Sequence, residues 1–273
     1  MKLISSRDNP LFKELKQLAA SAQARRKAGR SLLDGVHLAQ AWLQQAQGAA
    51  PLICIVAESA EVNAEVVSVM DACRSLSGCQ CIVLPDALYQ SISQVENGVG
   101  LTLVVDTPQP QMPTQLSGAS VLLDGLQDPG NLGSILRSAA ASGIRQVFCS
   151  PGTVAAWSPK VLRAGMGAHF MLDIFENADL FMLCADAAVP VLATSSYATR
   201  SIYQADLQGE VVWLFGHEGQ GVAPELMDAA TTQVVIPHAG AMESLNVAAA
   251  AAVCFFEAMR QRQAAIIAAE SAQ

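Results

Sequence analysis

Short apolar runs alternate with longer helix-like stretches along most of this 273-residue chain, and no other feature limits its fold as much. A strand followed by a helix needs a crossover to reach the next strand, which favours parallel sheets covered by helices on both faces. In the first part SLLD (31–34), LICIVA (52–57), CIVL (81–84) and LTLVVD (101–106) alternate with helical patterns near 10–20, 36–47, 61–74 and 86–93. The stretch DTPQPQMPTQLSGAS (106–120) then sets three prolines among Gln, Ser, Thr and Gly, the composition of an extended, solvated connection. Beyond it follow VLLDGL (121–126), QVFCS (146–150), VPVLATS (189–195), VVWLFG (211–216) and QVVIP (233–237), again separated by helical segments. The chain reads as α/β throughout, with a smaller domain at 1–106, a linker at 107–118 and a larger domain with a mainly parallel sheet at 119–273.

With 52% hydrophobic residues the chain has material for a sizeable core. No run approaches the roughly 18 apolar residues of a membrane span, and charges run through the opening MKLISSRDNPLFKEL, so a soluble, unexported, cytoplasmic protein is expected. Seven cysteines at 54, 73, 79, 81, 149, 184 and 254 form no CxxC pair, and Cys79 and Cys81 lack further ligands at metal spacing. Free thiols and no metal are expected. The net charge of −8 argues against a nucleic-acid partner, but it is unevenly spread: residues 1–30 carry +6 and the remainder −14. Lys13, Lys16, Arg25, Arg26, Lys27 and Arg30 therefore form either a basic arm for an RNA backbone or a merely solvated helix face.

In open parallel sheets ligands collect beyond the carboxyl ends of the strands. Three such ends stand out: DGLQDPGNLGSILRSAAASG, LFGHEGQGVAPEL and VVIPHAGAMESLNVAAA. In the first, Asn131 can cap a helix whose second turn carries Arg137; in the second, glycines surround Glu218; in the third, Ser244 and Asn246 stand before an alanine-rich helix. Each has a plain reading as a surface arginine, a loop-holding carboxylate and a helix cap. His217 and His238 read as solvent-edge residues. GHEGQG is not the dinucleotide fingerprint and no phosphate-loop motif exists, which disfavours a nucleotide-dependent enzyme.

Together, in this order and spacing, the three segments resemble the motifs of the SpoU (TrmH-like) RNA 2′-O-ribose methyltransferases of the SPOUT superfamily. The likeness rests on Asn131, Gly133 and Arg137, on Phe215, Gly216, Glu218 and Gly221, and on I-P-x-x-G-x-x-x-S-L-N-V at 236–247, and it covers roughly residues 119–262. Residues 1–105, with SSRDNPLFKELKQL and SLLDGVHL, resemble the ribosomal-protein-like α/β/α substrate-binding domain that precedes the catalytic domain in many members. Where many relatives have Met and Ser this chain has His238 and Ala248, and it has Asp34 where relatives often have Glu.

The resemblance implies a deep trefoil knot and an S-adenosylmethionine site held largely by main-chain groups at Thr194, Gly216, Ile236 and Leu245. It implies homodimerisation, with the site at or near the subunit interface, and no metal. It makes Arg137 the catalytic residue, either as base or, since arginine stays protonated in proteins, as phosphate anchor and stabiliser of a developing alkoxide. Asn131, Glu218, Ser244 and Asn246 are implied to orient Arg137, the ribose and the target phosphate. The expected activity is methyl transfer to a ribose 2′-oxygen, in ribosomal RNA first; transfer RNA, or a non-catalytic RNA-binding or assembly role on the same fold, are the alternatives.

Overall fold

A computed structural model describes residues 1–45, 49–95, 98–241 and 244–271. The chain divides into two compact units, one of Met1–Pro108 with Trp157–Phe170 and one of Gln109–Ala156 with Met171–Gln273.

The first unit holds the strands β1 (Lys2–Leu3), β2 (Arg30–Asp34), β3 (Ile53–Ala57), β4 (Gln80–Leu84) and β5 (Leu101–Asp106) in the order β1-β4-β3-β5-β2. The pairs from β1 to β3 are parallel, whereas β5 runs antiparallel to both β3 and β2. Its helices are α1 (Pro10–Ala20), α2 (Ala22–Ala28), α3 (Val36–Gln45), α4 (Ala64–Ser75) and α5 (Asp86–Gln90). The helical pattern expected to reach 47 runs past Gln45 into 46 and 47, which lie outside the described residues. The basic N-terminal segment is part of this fold rather than an arm. Asn9 caps α1 through its side chain, Pro10 starts it, and Phe12, Leu15 and Leu18 are buried along one stripe. Ser21 caps α2, which stops at Gly29 in the left-handed region (φ 64°). Within the same unit, Trp42 meets Phe170 edge-to-face at 5.3 Å.

The second unit carries β6 (Ser120–Leu123), β7 (Gln146–Cys149), β8 (Asp173–Glu176), β9 (Val191–Thr194), β10 (Val212–Phe215) and β11 (Thr232–Val234). They form one six-stranded sheet, β11-β9-β10-β6-β7-β8, in which every pairing is parallel. Its helices are α6 (Pro129–Ala141), α8 (Leu180–Ala185), α9 (Pro224–Ala229) and α10 (Val247–Ser271), while α7 (Pro159–Gly165) lies in the first unit. Both faces of the sheet are covered, which is why its central strands read as unbroken apolar runs. On one face Leu122, Phe148 and Leu214 pack with Leu180 of α8 and Leu226 of α9, and Phe148 stacks on Phe175 at 4.5 Å. On the other, Phe215 meets Phe255 of α10 edge-on at 5.8 Å, and α10 packs against α6. Burying a side chain of this size contributes roughly 1.5–3 kcal/mol. Among the described residues no helix is long and apolar enough to cross a membrane.

Three differences from the sequence reading have physical causes. The run VLLDGL stops being a strand after Leu123, because Asp124 turns out to accept from Ser150 Oγ (3.1 Å) and Ala223 N (3.0 Å) and Gly125 takes φ 65°. The strand β8 has only Ile174 and Phe175 as an apolar signal and so escapes a search for runs. Residues 107–119 form neither helix nor strand, yet Leu116 among them is fully buried in the second unit's core, so the stretch is not wholly solvated.

Candidate active site

The carboxyl ends of β6, β10 and β11 carry the three loops that the motifs mark, and β9 lies between β11 and β10 in the same sheet. The first loop opens α6. Asp128, not Asn131, is its cap: Asp128 Oδ1 accepts from the Asn131 backbone N–H at 2.7 Å, with Pro129 at the first helical position. An Asp-Pro pair ahead of a helix is itself a start signal, which places the cap at 128. This releases the Asn131 side chain for other work and moves Arg137 one turn deeper into α6 than the sequence suggested.

The second loop turns sharply after Phe215. His217 and Gly221 exchange two backbone hydrogen bonds, at 3.0 and 2.8 Å, and His217 Nδ1 accepts from Gly219 N at 3.0 Å. This closure brings the backbone of Gly221 and Val222 against Gly216, where any Cβ would overlap it. Glu218, at the tip, reaches back to α6. Its carboxylate accepts from Gln127 N (3.2 Å), Asp128 N (3.1 Å) and Asn131 Nδ2 (3.1 Å). Partial burial pushes this carboxyl up, but the hydrogen bonds from the Asn131 amide and from the backbone N–H groups of residues 218, 128 and 127 outweigh it and hold it below the ordinary value.

A depressed carboxyl pKa adds stability that is complete above the ordinary glutamate value, 4.5, and is lost as pH falls through the lower folded-state value. The expected result is that Glu218→Gln melts below the parent protein at neutral pH and that the gap narrows as the pH is taken down through and below 4.5. Melting curves from pH 7 to pH 3 check it; a gap independent of pH would mean that the carboxylate charge does not hold the loop.

The third loop leads into α10, and there the capping and site roles of one side chain coincide. Asn246 Oδ1 accepts from Ala248 N (2.9 Å) and Ala249 N (3.2 Å), capping the helix, while its Nδ2 donates to Asn131 Oδ1 at 2.9 Å. Helix N–H groups only donate and the Glu218 carboxylate only accepts, so both amides between them have a single orientation. The result is a directed chain, Asn246 to Asn131 to Glu218, that ties all three loops together. The alanine run lets α10 approach its neighbours closely: Ala251 is fully buried and Ala250 faces the cavity described next, although Ala249 is exposed.

These loops enclose a cavity of about 440 Å³, within the range of small-molecule sites. The predicted cofactor positions Thr194, Gly216, Ile236 and Leu245 line it, as do Asn131, Glu218, Ser244 and Asn246. Among the described residues the backbone N–H groups of Gly216, Ile236 and Leu245 have no hydrogen-bond partner, so donors stand free on a wall that Val222, Val234 and Val247 make otherwise apolar. Ser195, Ser196 and His238 also line it; the first two directly follow the predicted Thr194, and that position was the available signal. Positions 242 and 243 of the third motif lie outside the described residues.

Arg137 is not brought into this group. It sits on the exposed face of α6 with Gly130 and Ser134, its side chain makes no hydrogen bond or ion pair with a described residue, and it does not line the cavity. In the first unit the six predicted basic residues divide. Lys13 pairs with Asp8 at 2.9 Å, Arg30 pairs with Glu14, and Arg25 donates to the carbonyls of Leu18 (2.7 Å) and Ala19 (3.3 Å) at the end of α1. Lys16, Arg26 and Lys27 remain exposed, without an ion pair among the described residues.

The sequence profile of the SpoU rRNA Methylase family matches residues 118–256, the span that holds all three loops. A Synechocystis sp. protein named as an uncharacterized tRNA/rRNA methyltransferase is 35% identical over 96% of this chain and 95% of its own. The chain belongs to the SpoU family. A SpoU-family likeness of similar extent is seen with the 23S rRNA (guanosine(2553)-2′-O)-methyltransferase RlmP of Bacillus subtilis, 28% identical over 94% of this chain and 98% of that one. Among solved structures, the AdoMet-bound rRNA methyltransferase from Sinorhizobium meliloti superimposes with a TM-score of 0.80 at 26% identity, covering 95% of this chain and 97% of that chain. Asn131, Arg137, Glu218, Ser244 and Asn246 all fall inside the SpoU match.

Proposed function

We propose that this protein is an S-adenosylmethionine-dependent methyltransferase of the cytoplasm that modifies a ribose 2′-oxygen in ribosomal RNA. The observation that carries this reading is the cavity at the strand ends, closed by the Asn246–Asn131–Glu218 chain and provided with free main-chain donors. The nature of the relatives, a 2′-O-methyltransferase of 23S rRNA and an AdoMet-bound rRNA methyltransferase, supports the substrate and the methyl donor.

When bound, S-adenosylmethionine would supply its sulfonium methyl group to the ribose oxygen, the C–S bond breaking to release S-adenosylhomocysteine as the C–O bond forms, with the hydroxyl proton passing to water. The residues that would hold it are the main-chain groups of Gly216, Ile236 and Leu245, with Thr194 beside them and valine side chains excluding water. The chain's own residues do the rest. The Asn246–Asn131–Glu218 chain fixes the entrance so that the ribose enters in one orientation, which contributes to the rate of a two-reactant transfer. Ser244 offers a hydroxyl to the ribose or its phosphate. Arg137 anchors the target phosphate and stabilises negative charge building on the attacking oxygen. Because Arg137 lies outside its own subunit's cavity, we assign it to the cavity of a second copy in a homodimer. The knotted path implied for residues 236–245 belongs to the same proposal. So does RNA binding by the 1–106 domain, through Lys16, Arg26 and Lys27 first and Lys13, Arg25 and Arg30 less directly.

The reading is tested by calorimetry with S-adenosylmethionine and by tritiated methyl transfer to ribosomal RNA from cells lacking the gene, with transfer RNA in parallel. Saturable heat and label released as a 2′-O-methylnucleoside from ribosomal RNA are expected. Label on a base, label on transfer RNA alone, or folded protein that takes up no methyl donor would overturn it.

A further inference from the structure

The chain has three tyrosines. Tyr89 is buried, with its hydroxyl 2.8 Å from Thr102 Oγ1. The other two, Tyr197 and Tyr203, fall within one short loop, are 93% and 57% exposed, and have no ring contact or side-chain hydrogen bond among the described residues. The loop begins and ends on the cavity wall. Ser195 and Ser196, which line the cavity, directly precede Tyr197, whose backbone N–H donates to Ser195 Oγ at 3.2 Å. At the other end, Val235 N donates to Arg200 O (2.9 Å) and Ile202 N to Val235 O (3.0 Å), and Val235 is itself a lining residue. A reciprocal cap between Ser201 and Gln204 holds the turn that presents Tyr203. Between the tyrosines Arg200 is exposed and, among the described residues, forms no ion pair; its guanidinium donates to the Gln204 carbonyl at 3.3 Å.

A pinned loop that displays two unpartnered aromatic faces and one cation at the rim of a reaction cavity matches what unpaired RNA needs. Bases stack on aromatic rings irrespective of identity, and arginine serves the phosphate or the base face. Resting on the function proposed above, we infer that Tyr197 and Tyr203 stack an unpaired nucleobase adjoining the methylated nucleotide, with Arg200 on its backbone. They are positioning residues that place the ribose at the cavity.

The test uses the full chain and protein-free ribosomal RNA from cells lacking the gene. Tyr197→Leu and Tyr203→Leu are each expected to raise KM for RNA about tenfold, leaving calorimetric affinity for S-adenosylmethionine unchanged, whereas Tyr197→Phe, which keeps the ring, stays within about twofold. Tyr197→Trp adds an activity-independent readout: Trp42, Trp157 and Trp213 are buried, so the new, exposed indole should be quenched by the RNA. Unchanged KM in the Leu variants, equal losses in Leu and Phe, or a shift of the Leu variants to monomer in light scattering would each overturn the inference, the last by pointing to a second copy as the partner. If the parent protein methylates no RNA, the function proposed above fails, and quenching or its absence still decides the stacking.

Discussion

Gly216→Ala is expected to abolish binding of S-adenosylmethionine and to destabilise the protein by the upper end of the roughly 1–3 kcal/mol seen on overpacking. The added methyl would overlap backbone atoms of Gly221 and Val222, and backbone held by the paired His217–Gly221 bridge cannot yield as a side-chain tip could. Relief requires opening the loop that carries Glu218, which would separate the Glu218 carboxylate from α6. The neighbouring Gly219→Ala is the control: its Cβ would meet only the His217 ring at 3.7 Å, an ordinary contact, so stability and binding should be preserved. Urea unfolding and calorimetry on the two variants separate the cases, and a Gly216→Ala protein that binds the methyl donor normally would show that the cavity tolerates an open loop.

Arg137→Ala should produce the second large effect, a fall in methyl transfer of about 10²–10³-fold, with melting temperature and donor affinity unchanged. The separation follows from its placement on the exposed face of α6, away from its own cavity and with its side chain unbonded to described residues. Arg137→Lys keeps the charge but not the two-pronged geometry and should recover only part of the rate. Mixing Arg137→Ala subunits with Asn131→Ala subunits tests the assignment to a second copy. Activity restored by mixing two inactive proteins is expected; none would place the arginine in its own subunit's reaction.

Much of this was legible in the sequence because it rested on patterns with short physical causes. Strands buried on both faces write unbroken apolar runs, and β2 to β5 with β7, β9 and β10 lie within a residue or two of the expected runs, whereas β6 and β11 each stop three residues short of theirs. What escaped has equally specific reasons. In β8 two apolar residues stand between charges, and the two-residue β1 has no burial to mark it. The cap read at Asn131 lies at Asp128, one residue before the Pro129 that starts α6. The six-residue step from Asn131 to Arg137 turns about 120° around a helix, net of full turns, so within one copy the two motif residues face apart. The link from Asn246 through Asn131 to Glu218 joins residues far apart in sequence and depends on which strand ends lie side by side. No local pattern encodes that.

The all-parallel sheet also has a bearing on how the protein comes into being. It contains no hairpin, and β10 must pair with β6 after β7, β8 and β9 have already been synthesised, so its formation rests on contacts distant in sequence and is expected to be slow. Three of the four strands whose ends bear the cavity, and the helix that closes it, lie toward the carboxyl end. A chain still emerging from the ribosome therefore has no complete binding site until β9, β10, β11 and the start of α10 have all been made.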